Sequence, residues 1–182
     1  MVAGILECLG VPMVADNFFG MSWEDSDIVR RLKVSDEAFK EVVDRRNRKN
    51  DIWGFKHPGA HRFLKRMKKI LRNPVYLAIW KDPVTVTQRR FGYDSERPFI
   101  LDMQNTCVKM ANAMWNIYTA KEEVHMFSYT QALIKPRWFV EEIVRVTELD
   151  ATGAEIANAV KFIRPNTTKN WRNPYPQVRR KQ

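Results

Sequence analysis

The chain has 182 residues, of which 45% are hydrophobic and 29% charged, the composition of a globular domain with its own core. Its net charge of +10 implies an acidic partner: a nucleotide, a sulfated or phosphorylated ligand, nucleic acid or an anionic surface. No apolar run is as long as a membrane span, and the start lacks a signal peptide's features, so no membrane partner is predicted. Cys8 and Cys107 lie far apart in apolar surroundings and are predicted to be reduced core residues of a cytoplasmic protein.

The first third of the chain is predicted to be mostly helical. Residues 2–10 form a short amphipathic helix that Gly10 can end. After a loop, the acidic run Ser22–Asp27 suits the start of a second helix, because carboxylates stabilise the positive end of a helix dipole. Ser35 is a favourable N-cap for a third helix.

The centre of the chain is predicted to be a strand–helix–strand unit. Ile52–Phe55 and Val75–Trp80 are apolar runs, and the second reads as a strand buried on both faces of a parallel sheet. Between them, residues 62–71 alternate apolar and basic positions at helical spacing. Such a unit is right-handed with parallel strands, and Pro83 fits the first turn of the next helix.

The last third is predicted to contain a long helix, a strand and two further helices. The long helix covers residues 100–119, the strand covers residues 123–129, and Pro136 opens the next helix. Thr152–Glu155 is a capping-box pattern that opens the last helix. One stripe of the long helix is predicted to face the core: Leu101, Val108, Ala111, Met114, Trp115 and Tyr118.

Two lysines follow the central strands and predict an anion site. Lys56 and His57 follow the first strand, and Lys81 follows the second. Because parallel strands end at the same edge of a sheet, where ligands of open α/β sheets bind, these side chains should converge. His57 is a candidate general base at that edge, with an exposed loop histidine as the equal alternative.

A metal site and a glycine-rich phosphate loop are not predicted. His57 and His61 have a metal-ligand spacing, but Pro58 and Gly59 disfavour a continuous helix between them and no third ligand is evident. The seven glycines are scattered, so no Gly-x-Gly-x-x-Gly motif occurs.

Several segments, in the same order along the chain, resemble the sulfotransferases that use 3′-phosphoadenosine 5′-phosphosulfate (PAPS), especially their bacterial branch. Trp53-Gly54-Phe55-Lys56-His57-Pro58, followed by a strand that ends in Lys81-Asp82-Pro83, is similar to that family's Trp-Gly-x-Lys-x-Pro and Arg-Asp-Pro elements. The other matching segments are Gly20–Asp25, Phe127–Tyr129 and Phe162–Pro165.

This resemblance implies a three-layer α/β/α fold of the P-loop NTPase class with a parallel sheet. The domain would span residues 1–166, and residues 167–182 would form a basic tail. Met1–Gly4 resembles the start of the helix that follows the family's 5′-phosphosulfate loop, so the first strand and that loop would be missing. A missing central strand would leave an open groove, and we predict homo-oligomeric association through the exposed sheet edge, or an altered sheet.

The resemblance also implies roles for four residues. Lys56 would neutralise charge that builds up between the sulfuryl group and the leaving phosphate, and His57 would accept the proton of the nucleophile. Lys81 and Arg89 would hold the 3′-phosphate, although a lysine lacks the two-pronged geometry of arginine. Without the loop, PAPS would bind weakly or not at all. The acceptor would be a small molecule or glycan bearing a hydroxyl or amine.

Two other functions are consistent with the sequence. The chain could be a binding protein without catalysis that keeps a site for a nucleotide or a sulfated ligand. It could also be a nucleic-acid-binding module, since its charge, its basic helix and its tail are cationic. Few aromatic residues accompany those cations and no RNA-binding motif occurs, which argues against nucleic acid.

Overall fold

The computed structural model describes residues 1–13, 24–91 and 99–163, except for the side chains of residues 89–91. This part of the chain is mixed α/β, with helices around a small parallel sheet. In chain order the elements are α1 Val2–Cys8, α2 Ser26–Val34, α3 Asp36–Asn47, a 3-10 turn Ala60–Arg62, α4 Leu64–Ile70, β1 Tyr76–Trp80, α5 Pro83–Phe91, α6 Phe99–Ala120, β2 Val124–Ser128, α7 Tyr129–Ile134, α8 Pro136–Thr147 and α9 Gly153–Ile163.

Local capping interactions set several helix ends, as the sequence predicts. Ser35 caps α3 by accepting a hydrogen bond of 3.1 Å from the backbone N–H of Ala38. At the start of α9, the N–H of Thr152 donates to the Glu155 carboxylate at 2.7 Å, and the N–H of Glu155 donates to the Thr152 hydroxyl at 3.3 Å. Gly10 follows α1 with a φ of +82°, a conformation that glycine adopts without strain.

The sheet pairs β1 with β2 in parallel. Tyr76 lies opposite Val124 and Trp80 opposite Ser128. Both strands were expected from the sequence, and so was the parallel direction. The predicted partner of β1 was wrong, because β1 was expected to pair with Ile52–Phe55. The observed crossover between paired strands runs through α5 and α6 instead.

The segment from Ile52 to His57 is extended but does not form a strand. It makes two isolated parallel bridges, one between Gly54 and Met13 and one between Lys56 and Glu24. The sequence prediction of a strand here was therefore wrong. An isolated bridge sets the direction of the segment at one residue but does not build a continuous ladder of hydrogen bonds. The position of this segment therefore depends on where its bridge partners Met13 and Glu24 lie.

Apolar clusters lie against both faces of the sheet. Leu77 and Phe127 belong to a cluster with α1, α7, α8 and α9. Tyr76 and Val124 pack against a second cluster formed by α2, α3, α4 and the end of α6. Because successive strand residues point to opposite faces, these two clusters are separated by the sheet.

Three predictions of burial were wrong. The strand β1 is only partly buried, with Ile79 exposed, because within the described residues it has one paired neighbour. The stripe of α6 that was predicted to face the core is exposed along its length, and Cys107 is exposed with it. The short helix α7, which Ser128 caps, was not predicted.

None of the helices in residues 1–13, 24–91 and 99–163 combines the length and the apolar character needed to cross a bilayer. The predicted loop Gly92–Arg97, most of the predicted loop Pro12–Met21 and the predicted tail lie outside the described residues.

Candidate functional site

A large open cleft separates the Ile52–Pro58 segment from β1. Its volume is about 1910 Å³, and its walls include the start of α1, that segment, β1 and the inner side of α6. This exceeds the roughly 300–1,000 Å³ of a typical small-molecule site, so the volume alone does not define a ligand. Its described walls carry more cationic side chains than carboxylates: Lys56, Arg62, Arg72, Lys81, Lys109 and Arg145 against Asp51, Glu123 and Glu148.

Three of the residues predicted for the site line this cleft together. They are Lys56, His57 and Lys81. Lys81 follows β1, whereas Lys56 forms its parallel bridge with Glu24, so the expected pairing between their two segments is not what brings them to one cleft. Arg89 lies in α5, and its side chain is outside the described part of the chain.

Lys56 is paired with a carboxylate that sequence reasoning did not assign to the site. Its Nζ lies 3.2 Å from a carboxylate oxygen of Glu24, and both side chains are partly exposed. The pair follows from the backbone bridge between the same two residues. An anion that binds Lys56 would therefore compete with Glu24. The acidic segment before α2 was interpreted as a helix start and as part of the family resemblance, and neither interpretation predicted that Glu24 lies beside Lys56.

Lys81 lies over an aromatic ring instead. Its Nζ is 4.7 Å from the centre of the Tyr129 ring, a cation–π contact. The register of the sheet explains this neighbour, because Trp80 lies opposite Ser128 and the next residues are Lys81 and Tyr129. Tyr129 stands in one of the segments that resemble the sulfotransferases, but its contact with Lys81 could not be read from the sequence.

Asp82 caps a helix next to Lys81. Its carboxylate accepts hydrogen bonds from the backbone N–H and the hydroxyl of Thr85, at 2.7 and 2.5 Å. These bonds, more than the nearby Lys81 charge, hold the pKa of Asp82 below its usual value. Asp82 thus fixes the start of α5, and among the described residues no carboxylate is hydrogen-bonded to the Lys81 ammonium.

His57 is enclosed rather than exposed. Its ring stacks on Phe63 with 6.3 Å between ring centres, and a Cβ on Gly59 would come within 3.1 Å of Nε2. Within the described residues, both ring nitrogens are buried and have no hydrogen-bond partner. Burial, followed by the charge of Lys33, lowers the pKa of His57. The ring is therefore neutral at pH 7, but it reaches a substrate proton only if it moves.

His61 is held by the other wall of the cleft. The side-chain amide of Asn116 on α6 lies 3.0 Å from His61 Nδ1. Burial, with a smaller effect of Arg62, lowers the pKa of His61. Across residues 1–13, 24–91 and 99–163, no group of three or more His, Cys, Asp or Glu side chains is placed to hold a metal ion.

Comparison with known proteins identifies no relative, since no family model, curated protein or solved structure matches the chain. The chemistry of the cleft is therefore argued from its own residues.

Proposed function

We propose that the protein is sulfotransferase-like, with a three-layer P-loop-type fold, and that its cleft binds PAPS and transfers the sulfuryl group to a hydroxyl or amine. The observation that carries this proposal is that Lys56 and Lys81, which follow two extended segments 25 residues apart in sequence, line the same cleft. The parallel β1–β2 pair, with apolar clusters on both faces, supports the fold.

The residues present suit the charge of such a cofactor. Ammonium groups bind phosphate and sulfate oxygens through charge-assisted hydrogen bonds. The Lys81 ammonium lies on an aromatic face rather than against a carboxylate, so an incoming phosphate can add to its contacts without displacing an ion pair. An anion that binds Lys56 must compete with the Glu24 carboxylate, and this competition lowers the affinity of that half of the site.

Each residue has a proposed role. When bound, PAPS supplies an activated sulfuryl group, and the nucleotide phosphate is the leaving group. Lys56 stabilises the negative charge between them, and Lys81 with Arg89 holds the 3′-phosphate. His57, neutral because of its burial, accepts the nucleophile's proton after its ring turns toward the cleft. The acceptor is a small molecule or a glycan.

The first experiment measures nucleotide binding. We expect 3′-phosphoadenosine 5′-phosphate to raise the melting temperature of the protein, because a ligand that binds only the folded state stabilises it. Lys81→Ala should abolish that shift. Lys65→Ala removes an exposed lysine from α4, away from the described walls of the cleft, and should keep it. No shift at millimolar nucleotide would contradict the proposal.

A second candidate is a binding protein without catalysis. The enclosed ring nitrogens of His57 favour it, because they have no access to a substrate in this conformation. Transfer of labelled sulfate from PAPS to a panel of phenols, amines and glycans separates the two functions. Nucleotide binding that depends on Lys81, without any transfer, would support the binding protein.

The free edge of β1 carries a related proposal. Within the described residues β1 pairs only with β2, and it lines the cleft. Unpaired strand edges readily accept another strand. We therefore expect another extended segment to pair in parallel with the free edge of β1, on the side of the cleft. This added strand would fill the space between β1 and Ile52–Phe55 and complete the sheet.

A further inference from the structure

The outward face of α6 is apolar over most of the helix. Its large exposed side chains form a single stripe of six: Ile100, Leu101, Val108, Met114, Trp115 and Tyr118. Trp115, which also borders the cleft, is 63% exposed and Tyr118 is 75% exposed, although their rings contact each other at 5.8 Å between centres. We call these six residues the α6 stripe. An exposed apolar surface of this extent is typical of an interaction site.

The α6 stripe contains no charged residue. The 22 residues of α6 include only two charges, Asp102 and Lys109, in a chain of which 29% is charged. At 3.6 residues per turn, both charges fall on the side of the helix opposite to the stripe. Helices that are apolar on all sides are usually covered on all sides. The stripe therefore has the composition of a buried surface.

The orientation of α6 is fixed by its other side, so the stripe cannot turn inward. The Thr106 hydroxyl is buried and lies 3.3 Å from that of Thr87 in α5. Asn116 contacts His61, and Ala120 packs into the cluster of α2, α3 and α4. These anchors are spread along the helix and lie away from the α6 stripe. None of the described residues covers it, so this face is left for a partner.

The spacing of the α6 stripe suits another helix. Leu101, Val108 and Trp115 repeat every seven residues. Gln104, Ala111 and Tyr118 form the intervening row, and apart from Gln104 this is the pattern of packed helix pairs. The small residues Cys107, Val108 and Ala111 lie in the middle, while larger side chains lie toward the ends. In an antiparallel pair, the aliphatic end of one helix meets the aromatic end of the other.

We propose that a second copy of the chain packs its own α6 antiparallel across the α6 stripe, about a twofold axis close to Cys107–Ala111. The exposed parts of the six side chains amount to on the order of 700 Å² per copy, near the roughly 800 Å² that each partner contributes to a standard interface. Two copies of net charge +10 repel each other, and a face without charges is where they approach at least cost.

The association state tests this inference. Sedimentation of the full chain should give a species of about twice the 21.5 kDa chain mass. Val108→Glu should raise the dimer dissociation constant at least about tenfold, because its carboxylate would be buried unpaired in the interface. Val34→Glu is the matched control, since Val34 is 69% exposed at the end of α2 and the charge change is the same. Circular dichroism checks that both variants fold.

Cys107 reports the location of the contact. Because it lies near the proposed axis and is exposed, mild oxidation or a short bis-maleimide should link two chains through it. Cys107→Ser should remove the link, whereas Cys8→Ser should not. A monomer at all concentrations, or a dimer that survives Val108→Glu and links without Cys107, would overturn the inference. The second result would point to the β1 edge, and vesicle binding by a monomer would point to a lipid surface.

Discussion

Single residues of this protein show how burial changes chemistry. The Tyr76 hydroxyl is buried and has no hydrogen-bond partner among the described residues. Burial, reinforced by the Glu122 carboxylate, raises the pKa of Tyr76 to about 12 from an ordinary 10.0. The same effect acts in the opposite direction on His57, whose charged form is the protonated one, and lowers its pKa. Both residues line the cleft, and burial favours the neutral form of each.

The Tyr76 hydroxyl predicts a pH dependence of stability. Below pH 10 the phenol is protonated in the folded and unfolded states and contributes no slope. Between about 10 and about 12 the unfolded chain loses this proton while the folded chain keeps it, so the free energy of unfolding falls as pH rises. Urea unfolding across this range should show a steeper fall for the wild type than for Tyr76→Phe.

Tyr76→Phe also has an expected effect at neutral pH. Because the hydroxyl has no partner among the described residues, its removal should lower the free energy of unfolding by less than about 1 kcal/mol, or raise it. Parallel pH profiles for the two proteins would show that another group causes the alkaline loss of stability.

At the scale of elements, α2 and α3 are joined by a buried ion pair. The side chain of Asp25 is fully buried, and its two oxygens have different partners. One accepts a hydrogen bond of 3.0 Å from the N–H of Ile28 and caps α2. The other lies 2.7 Å from the Arg46 guanidinium near the end of α3. A single carboxylate therefore fixes both the start of one helix and the position of the next.

We expect Asp25→Ala to destabilise the protein by about 3 kcal/mol. Loss of the cap costs about 1 kcal/mol, and the rest comes from leaving the mostly buried Arg46 charge unpaired. Asp25→Asn keeps the cap acceptor and should cost less. Asp44→Ala, which breaks the exposed Lys40–Asp44 pair, is the control and should change stability little. Urea denaturation measures all three, and equal losses for Asp25→Ala and Asp44→Ala would rule out this role.

At the scale of the whole molecule, the positive charge is partly concentrated in the cleft. The cations there come from the Ile52–Arg62 segment, the residues just before and just after β1, α6 and α8, parts of the chain that are far apart in sequence. One carboxylate, Glu24, partly neutralises this charge at Lys56. The affinity for an anion therefore depends on the difference between the cationic charge in the cleft and the carboxylate charge beside it. Removing the Glu24 carboxylate tests this dependence.

We expect Glu24→Gln to increase the affinity for 3′-phosphoadenosine 5′-phosphate about threefold. The exposed pair itself contributes little to stability, but the substitution removes the competing carboxylate from Lys56 and adds one unit of positive charge near the anion. Calorimetric titration measures the affinity, and the gain should shrink at high salt. Glu41→Gln removes a carboxylate that pairs with Arg31 away from the described cleft walls and should have no effect. Unchanged affinity in Glu24→Gln would place the anion elsewhere.

Some features of this protein were determined by the sequence itself. The helix starts at Ser35, Pro83, Pro136 and Thr152 were predicted, because capping and proline geometry depend on residues within one turn. The two strand positions could also be predicted, since short runs rich in β-formers stand out. Lys56, His57 and Lys81 line one cleft, but the pairing of segments from which this was expected does not occur, and a shared ligand site there stays a prediction.

Only the tertiary structure decided which elements meet. A short apolar run specifies a strand but not its partner, so the sequence could not show that β1 pairs with β2 rather than with Ile52–Phe55. The helix α6 has apolar residues on opposite sides, and periodicity cannot tell which side packs inward. Contacts between distant residues, such as Lys56 with Glu24 and Lys81 with Tyr129, depend on the path of the whole chain. Local interactions set the elements, and long-range packing sets their neighbours.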